Sequence, residues 1–181
     1  MKTVYISGSP RKNSNTDYLL NILKSQIGGN IIKLSDYHVE SCRACIDCRG
    51  KGECVVNDDM QKVIIPALLE SDVIVLGSPV YFNNVSAQMK AFMDRTHCLI
   101  DHLQNKIGGS IVVGRKYGAE SSTVAINAFF LKHNMIPANR GVLGFAFELG
   151  EMEKDAEAIR DTKKLGARII DLAKMIGKKG V

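Results

Sequence analysis

The sequence predicts an α/β domain in which a doubly wound parallel sheet of five strands carries helices on both faces. Two observations predict it. β-type runs and helical runs alternate five times along the chain, and Asp72 to Gly77 contains four consecutive apolar residues, Val73 to Leu76, as a strand covered on both faces does. With 181 residues, 45% of them apolar and 24% charged, the chain suits one domain with a substantial core. The expected organisation is a single domain over residues 1–181, with a cysteine-rich loop inserted at about 35–57.

Each element has a local reason. Lys2 to Ser7 is a compact β run ending at Gly8-Ser9-Pro10, and Tyr18, Leu19, Ile22 and Leu23 then fall at helical spacing within Asp17 to Gln26. Asn30 to Leu34 reads as a second strand, followed by an irregular stretch from Ser35 to Asn57. Asp58 and Asp59 offer N-caps for a helix through Leu69, in which Pro66 demands a kink or a late start. The strand Asp72 to Gly77 exits into a loop, Ser78 to Val85, and Ser86 caps a helix carrying Met89, Phe92 and Met93 to the core. Lys106 to Gly114 is a fourth strand that ends in a glycine-containing loop through Gly118, and a helix follows from Ser121 to His133. The fifth strand falls on Gly141 to Phe147, and Glu151 to Gly177 reads as one amphipathic helix with acids early and bases late, as the helix dipole prefers. Right-handed crossovers place ligands of such a sheet beyond the carboxyl ends of its strands. The loops after the first, third and fourth strands look most specialised, and all lie on that edge.

Charge and patterning exclude other classes. Met1 to Ile6 alternates in polarity, and no window is long and apolar enough to span a bilayer, so a cytoplasmic protein without membrane association is expected. The net charge is +5, and much of the excess sits on the final helix at Lys163, Lys164, Arg168, Lys174, Lys178 and Lys179, a solvated face suited to an acidic protein partner. The chain has no Trp, no aromatic-basic interleaving and no helix-turn-helix pattern, so nucleic acid is not an expected partner.

The first loop, Ser7 to Thr16, matches neither the dinucleotide glycine pattern nor the nucleoside-triphosphate loop. Ser7, Ser9, Ser14, Asn15 and Thr16 supply side-chain donors, the start of the first helix supplies backbone N–H groups, and Arg11 adds a charge. That set suits one terminal phosphate, as on a mononucleotide; the plainer reading is a capping segment that holds nothing. Gly8-Ser9-Pro10-Arg11 with Asn15-Thr16, then Ser78-Pro79-Val80-Tyr81-Phe82-Asn83-Asn84, then Lys90-Ala91-Phe92-Met93-Asp94-Arg95, then Val113-Gly114, resembles the NAD(P)H-dependent FMN reductase branch of the flavodoxin-like superfamily over nearly the whole chain. The resemblance implies a flavodoxin-like fold and a bound FMN. The first loop, Pro10 included, would grip its phosphate, Pro79, Val80, Tyr81, Phe82, Asn83 and Asn84 would line the isoalloxazine, and Gly114 to Gly118 would close over it. Tyr81 and Phe82 offer ring faces; core packing at a strand end is the alternative for both, and for Phe82 it explains the residue equally well.

Cys42-x2-Cys45-x2-Cys48-x5-Cys54 places four thiols in thirteen residues and leaves only Cys98 elsewhere. Disulfides suit neither the compartment nor the spacing. Zinc usually draws its thiolates from two separated pairs, whereas three ligands on one curled loop with a fourth nearby suit the corners of a [4Fe–4S] cube. Free cysteines remain the plain alternative, on a loop made polar by Arg43, Asp47, Arg49, Lys51 and Glu53. The stretch Cys42 to Met60, closing on Asp58-Asp59-Met60, resembles the compact cysteine motif of the iron–sulfur flavoproteins. That family implies a homodimer or homotetramer in which the cluster of one subunit lies near the flavin of another. It further implies ferredoxin or a similar carrier as electron donor, and a small acceptor such as dioxygen, peroxide or a quinone. No catalytic side chain is assigned, because the chemistry would fall on the flavin. The alternative is an NAD(P)H-dependent FMN, quinone or nitro-compound reductase without a functional cluster. A redox-sensing scaffold stands further off. His97 beside Cys98 reads as packing rather than a nucleophile pair, His38 as an exposed loop residue, and Asp94-Arg95 as the seat of a structural ion pair.

Overall fold

The computed structural model describes residues 1–177, so Lys178 and Lys179 of the expected basic face lie outside the described residues. In chain order the strands are β1 (Thr3–Ser7), β2 (Asn30–Lys33), β3 (Val73–Tyr81), β4 (Asn84–Val85), β5 (Ile107–Gly114), β6 (Ile136–Pro137) and β7 (Val142–Phe145). The α-helices are α1 (Asn15–Ile27), α2 (Ile65–Glu70), α3 (Ala87–Arg95), α4 (Ala119–Lys132) and α5 (Ala156–Met175).

The sheet runs β2-β1-β3-β5, and its last position is shared by β6 and β7. β6 pairs with the start of β5 through Ile107 and Ile136, and β7 with its end through Ile111 and Val142, so the expected fifth strand is β7 and the short β6 shares its place in the sheet. Every pairing is parallel except the short hairpin of β4 on β3. Alternate strand residues feed two cores. Val4, Ile6, Ile74 and Leu76 pack with Leu68, Phe92 and Phe130 on one face, while Tyr5, Val73 and Val75 pack with Leu20, Leu165 and Ile169 on the other. The period of two along each strand puts α2, α3 and α4 over one face and α1 and α5 over its reverse.

Several boundaries depart from the sequence expectation, each for a local reason. Pro66 has no N–H to donate backward, and the predicted helix from Asp58 divides into a π-helical turn at Met60–Ile64 and a regular helix only from Ile65. The helix predicted from Glu151 opens as a separate 3-10 turn, Glu151–Lys154. Asp155 then caps α5, its Oδ1 accepting from the Ala158 N–H at 2.9 Å. The expected loop Ser78 to Val85 is a hairpin: β3 runs on to Tyr81, and Phe82 and Asn83, at φ 49° and 60°, make a two-residue turn back into β4. Ser86 caps α3 as expected, accepting from the Met89 N–H at 3.2 Å.

Candidate functional site

The carboxyl ends of β1, β3, β5 and β7 converge on a cleft of about 300 Å³. Ser9, Arg11, Ser14, Asn15 and Thr16 line it from the first loop, Pro79, Val80 and Tyr81 from the end of β3, and Gly114 and Arg115 from the end of β5. Donors at the N-terminus of a thirteen-residue helix thus face apolar walls, the combination that a phosphorylated ring needs. Ser14 is the N-cap of α1 and accepts from the Asp17 N–H at 3.0 Å; its backbone and those that follow point their N–H groups at the cleft end of the helix. Arg11 is exposed and free to meet an anion there.

Other predicted residues serve the site from outside the cleft. Ser7 is fully buried and donates to Asp17 Oδ1 at 2.5 Å, while the other oxygen of Asp17 pairs with Lys33. Its hydroxyl therefore holds β1 to α1 rather than a ligand. Pro10 turns away into a separate groove of about 740 Å³ along the outer side of α1, where Lys33 is already tied to Asp17 and to the Arg11 carbonyl. Asn15 reaches the cleft but commits its amide to the β7–α5 connection, donating to the Glu148 carbonyl at 2.8 Å and accepting from the Gly150 N–H at 3.0 Å. The hairpin turn carries Phe82 and Asn83 past the wall, leaving Phe82 fully exposed. Asn84 spends its side-chain oxygen on the Val85 N–H at 2.8 Å. Gly118 lies beneath the turn, at φ 80°, where a Cβ would stand 2.4 Å from the Asn83 Cα; it supports the hairpin and does not cover the cleft.

Sequence reasoning missed Ala146, Phe147 and Leu149, which complete the cleft together with Arg115 of the expected Gly114 to Gly118 loop. The Arg115 guanidinium lies 5.9 Å from the centroid of the Phe147 ring. The available signal was positional: the fifth strand also ends on the ligand edge, so its exit loop belongs to the site as much as the other three.

The cysteine loop forms a second chamber, of about 420 Å³, lined by Cys42, Cys45, Cys48 and Cys54 with Asp94, Arg95 and His97. Left-handed residues at Ala44 (φ 51°), Ile46 (φ 66°), Gly50 (φ 69°) and Gly52 (φ 72°) curl the loop so that four separated thiols share one space. All five cysteines of the chain are free. Among the described residues no group of three or more His, Cys, Asp or Glu is arranged around a single ion. Four soft ligands around a roomy chamber fit a compact multi-atom group. Burial, with the neighbouring sulfurs Cys54, Cys45 and Cys42, pushes the Cys48 thiol up, so ligation there must displace a proton. Cys98 is wholly buried behind the chamber, its thiol pushed up to about 12 by burial.

One ion pair anchors this loop. Arg95, at the end of α3, makes a forked contact with Asp58, Nη1 to Oδ2 at 2.6 Å and Nη2 to Oδ1 at 2.9 Å, with both side chains 1% exposed. Burial works against the Asp58 charge, but Arg95 and the Glu40 and Gln61 N–H groups overcome it and hold the carboxyl at about 2, below its usual 3.8. The expected structural pair at Asp94-Arg95 is therefore two pairs, since Asp94 joins Lys90 at 2.5 Å.

Residues 1–149 match the NADPH-dependent FMN reductase family. An iron–sulfur flavoprotein of Methanocaldococcus jannaschii is 36% identical, covering 98% of this chain and 100% of that protein. Among solved structures, RosB superposes with a TM-score of 0.80 at 17% identity over 99% of this chain and 81% of its own. An archaeal flavodoxin gives 0.63 at 17% identity over 96% and 99%. These two show the fold, which is flavodoxin-like. Among the described residues no helix is long and apolar enough to cross a membrane. The chain is a flavin-dependent oxidoreductase of the NADPH-dependent FMN reductase family, and within it belongs to the iron–sulfur flavoproteins.

Proposed function

We propose that this protein relays single electrons from a carrier such as ferredoxin, through a [4Fe–4S] cluster, to FMN and on to a small acceptor such as dioxygen, peroxide or a quinone. The observation that carries the reading is the presence in one chain of a phosphate-and-ring cleft and a chamber ringed by four cysteines. Cys42, Cys45, Cys48 and Cys54 would hold the iron, and Ser9, Arg11, Ser14 and Thr16 the FMN phosphate. Pro79, Val80, Tyr81, Gly114, Arg115 and Phe147 would enclose the ring. FMN, when bound, supplies the exchange between one-electron and two-electron chemistry that a carrier–acceptor pair needs. The side chains orient that exchange and exclude water from it; none is placed as a nucleophile.

Exposed apolar residues that line the cleft, Phe147 and Leu149, with Phe82 exposed on the hairpin beyond its wall, support a homodimer or homotetramer in which one subunit covers the flavin site of another. The family match to NADPH-dependent FMN reductases favours one rival, direct hydride transfer from a nicotinamide. Rapid mixing under argon separates the two. Reduced ferredoxin is expected to bleach the broad cluster absorbance before the flavin bands, with NAD(P)H giving slow or no reduction. Fast flavin bleaching by NAD(P)H in protein that shows no cluster absorbance would select the rival.

A further inference from the structure

A guanidinium has five N–H donors, and four of those on Arg95 are engaged. Nη1 donates to the Glu40 carbonyl at 2.9 Å and to Asp58 Oδ2 at 2.6 Å, and Nη2 to Asp58 Oδ1 at 2.9 Å and the Val56 carbonyl at 3.4 Å. Glu40 stands two residues before Cys42 and Val56 two after Cys54, so this one side chain grips both ends of the cysteine loop. The fifth donor, Nε–H, is buried and has no partner among the described residues. Leaving a donor of a charged group unpaired in the interior is unfavourable. Arg95 nonetheless lines the cysteine chamber, and Cys54 is among the groups that stabilise its charge. Arg43, the other cation at the chamber, is exposed and turned to Glu40 at 2.5 Å.

We propose that Arg95 is a positioning residue whose Nε–H donates to a sulfur of the iron–sulfur group in the chamber and raises that group's reduction potential. The inference rests on the cluster reading. Reduction adds negative charge to the group, and a buried cation that donates to one of its sulfurs stabilises the reduced form more than the oxidised form. The clamp on the loop ends fixes the guanidinium plane, so the donor is aimed before any electron arrives. A side chain present only to pin the loop would affect how much cluster is held, but not the potential of the cluster that is held.

The test uses full-length protein, loaded anaerobically with FMN and cluster and titrated by EPR-monitored redox potentiometry. Arg95→Lys keeps the charge beside Asp58 and removes the fork and Nε. Its cluster is expected to titrate at a more negative potential than wild type, with altered g-values and an unshifted flavin. Asp58→Asn, which weakens the clamp and leaves Nε, is expected to lower iron occupancy more than it moves the potential of the remaining cluster. Arg95→Lys with a full cluster at the wild-type potential would overturn the proposal while leaving the cluster reading intact. Wild-type protein without iron would overturn both. If Arg95→Lys does not load, pulsed EPR on wild type grown with 15N-arginine decides the matter. A 15N coupling to the reduced cluster that survives in Arg43→Lys supports the donor, and its absence removes it.

Discussion

Asp58 shows how much of this site depends on single side chains. Its carboxylate joins Arg95, the Glu40 N–H at 2.9 Å and the Gln61 N–H at 3.3 Å, so one residue ties the approach to the cysteine loop, its exit and α3. Removing one member of a buried pair strands the other charge, and Asp58→Asn is expected to cost about 3–5 kcal/mol in urea unfolding. The pair also sets an acid limit. The folded-state value near 2 lies below the ordinary 3.8, so the stabilisation is complete above about pH 4 and is lost as pH falls toward 2. Between pH 5 and pH 2 wild type should lose about 2 kcal/mol more than Asp58→Asn does, a difference that chemical denaturation at those two pH values would measure. In the first loop, Ser14→Ala removes the cap of α1 and is expected to cost about 1 kcal/mol. The same change should weaken FMN binding by flavin fluorescence titration, because it also disturbs the N–H groups that face the cleft.

Among the elements, the β3–β4 hairpin is where local preference and site geometry conflict. Phe82 is a bulky residue at φ 49°, wholly exposed, in a turn position that favours Asn or Gly. Strain of this kind collects where function demands it. Phe82→Asn is expected to raise the melting temperature, with a gain of about 1 kcal/mol, and to slow turnover or loosen the oligomer. A stabilised variant with unchanged activity and assembly would show that the phenylalanine has no function. The same hairpin shows what the sequence could and could not convey. Ser86 as a cap and Pro66 as a late helix start were legible because each acts within a few residues of itself. The turn was not, because Tyr81-Phe82-Asn83-Asn84 carries no glycine to announce it. The contribution of Phe147 and Leu149 was hidden differently: their loop becomes part of the cleft only once the sheet order places β7 beside β5. Ser7 misled because a hydroxyl in a phosphate-like loop gives no sign that it already donates its hydrogen bond to Asp17.

At the scale of the molecule, the fold separates two jobs. The sheet edge gathers a cleft from four strand exits, and the insertion after β2 builds a thiol chamber against α3, so neither site competes for the other's residues. The alternation of elements, the parallel sheet and both specialised loops could be read from the chain, because each rests on residues that lie close together in sequence. Basic side chains such as Lys163, Lys164, Arg168 and Lys174 give the outer surface a sign. If an acidic carrier delivers the electrons, its reduction rate should fall several-fold between low salt and about 0.5 M salt, as screening shortens the reach of those charges. A salt-independent rate would point to a neutral donor. The central claim, that flavin and cluster share this chain, is tested most directly by measuring iron, acid-labile sulfide, zinc and flavin in protein purified without oxygen. The account predicts about four irons, four sulfides and one FMN per chain; stoichiometric zinc, or flavin with no metal, would contradict it.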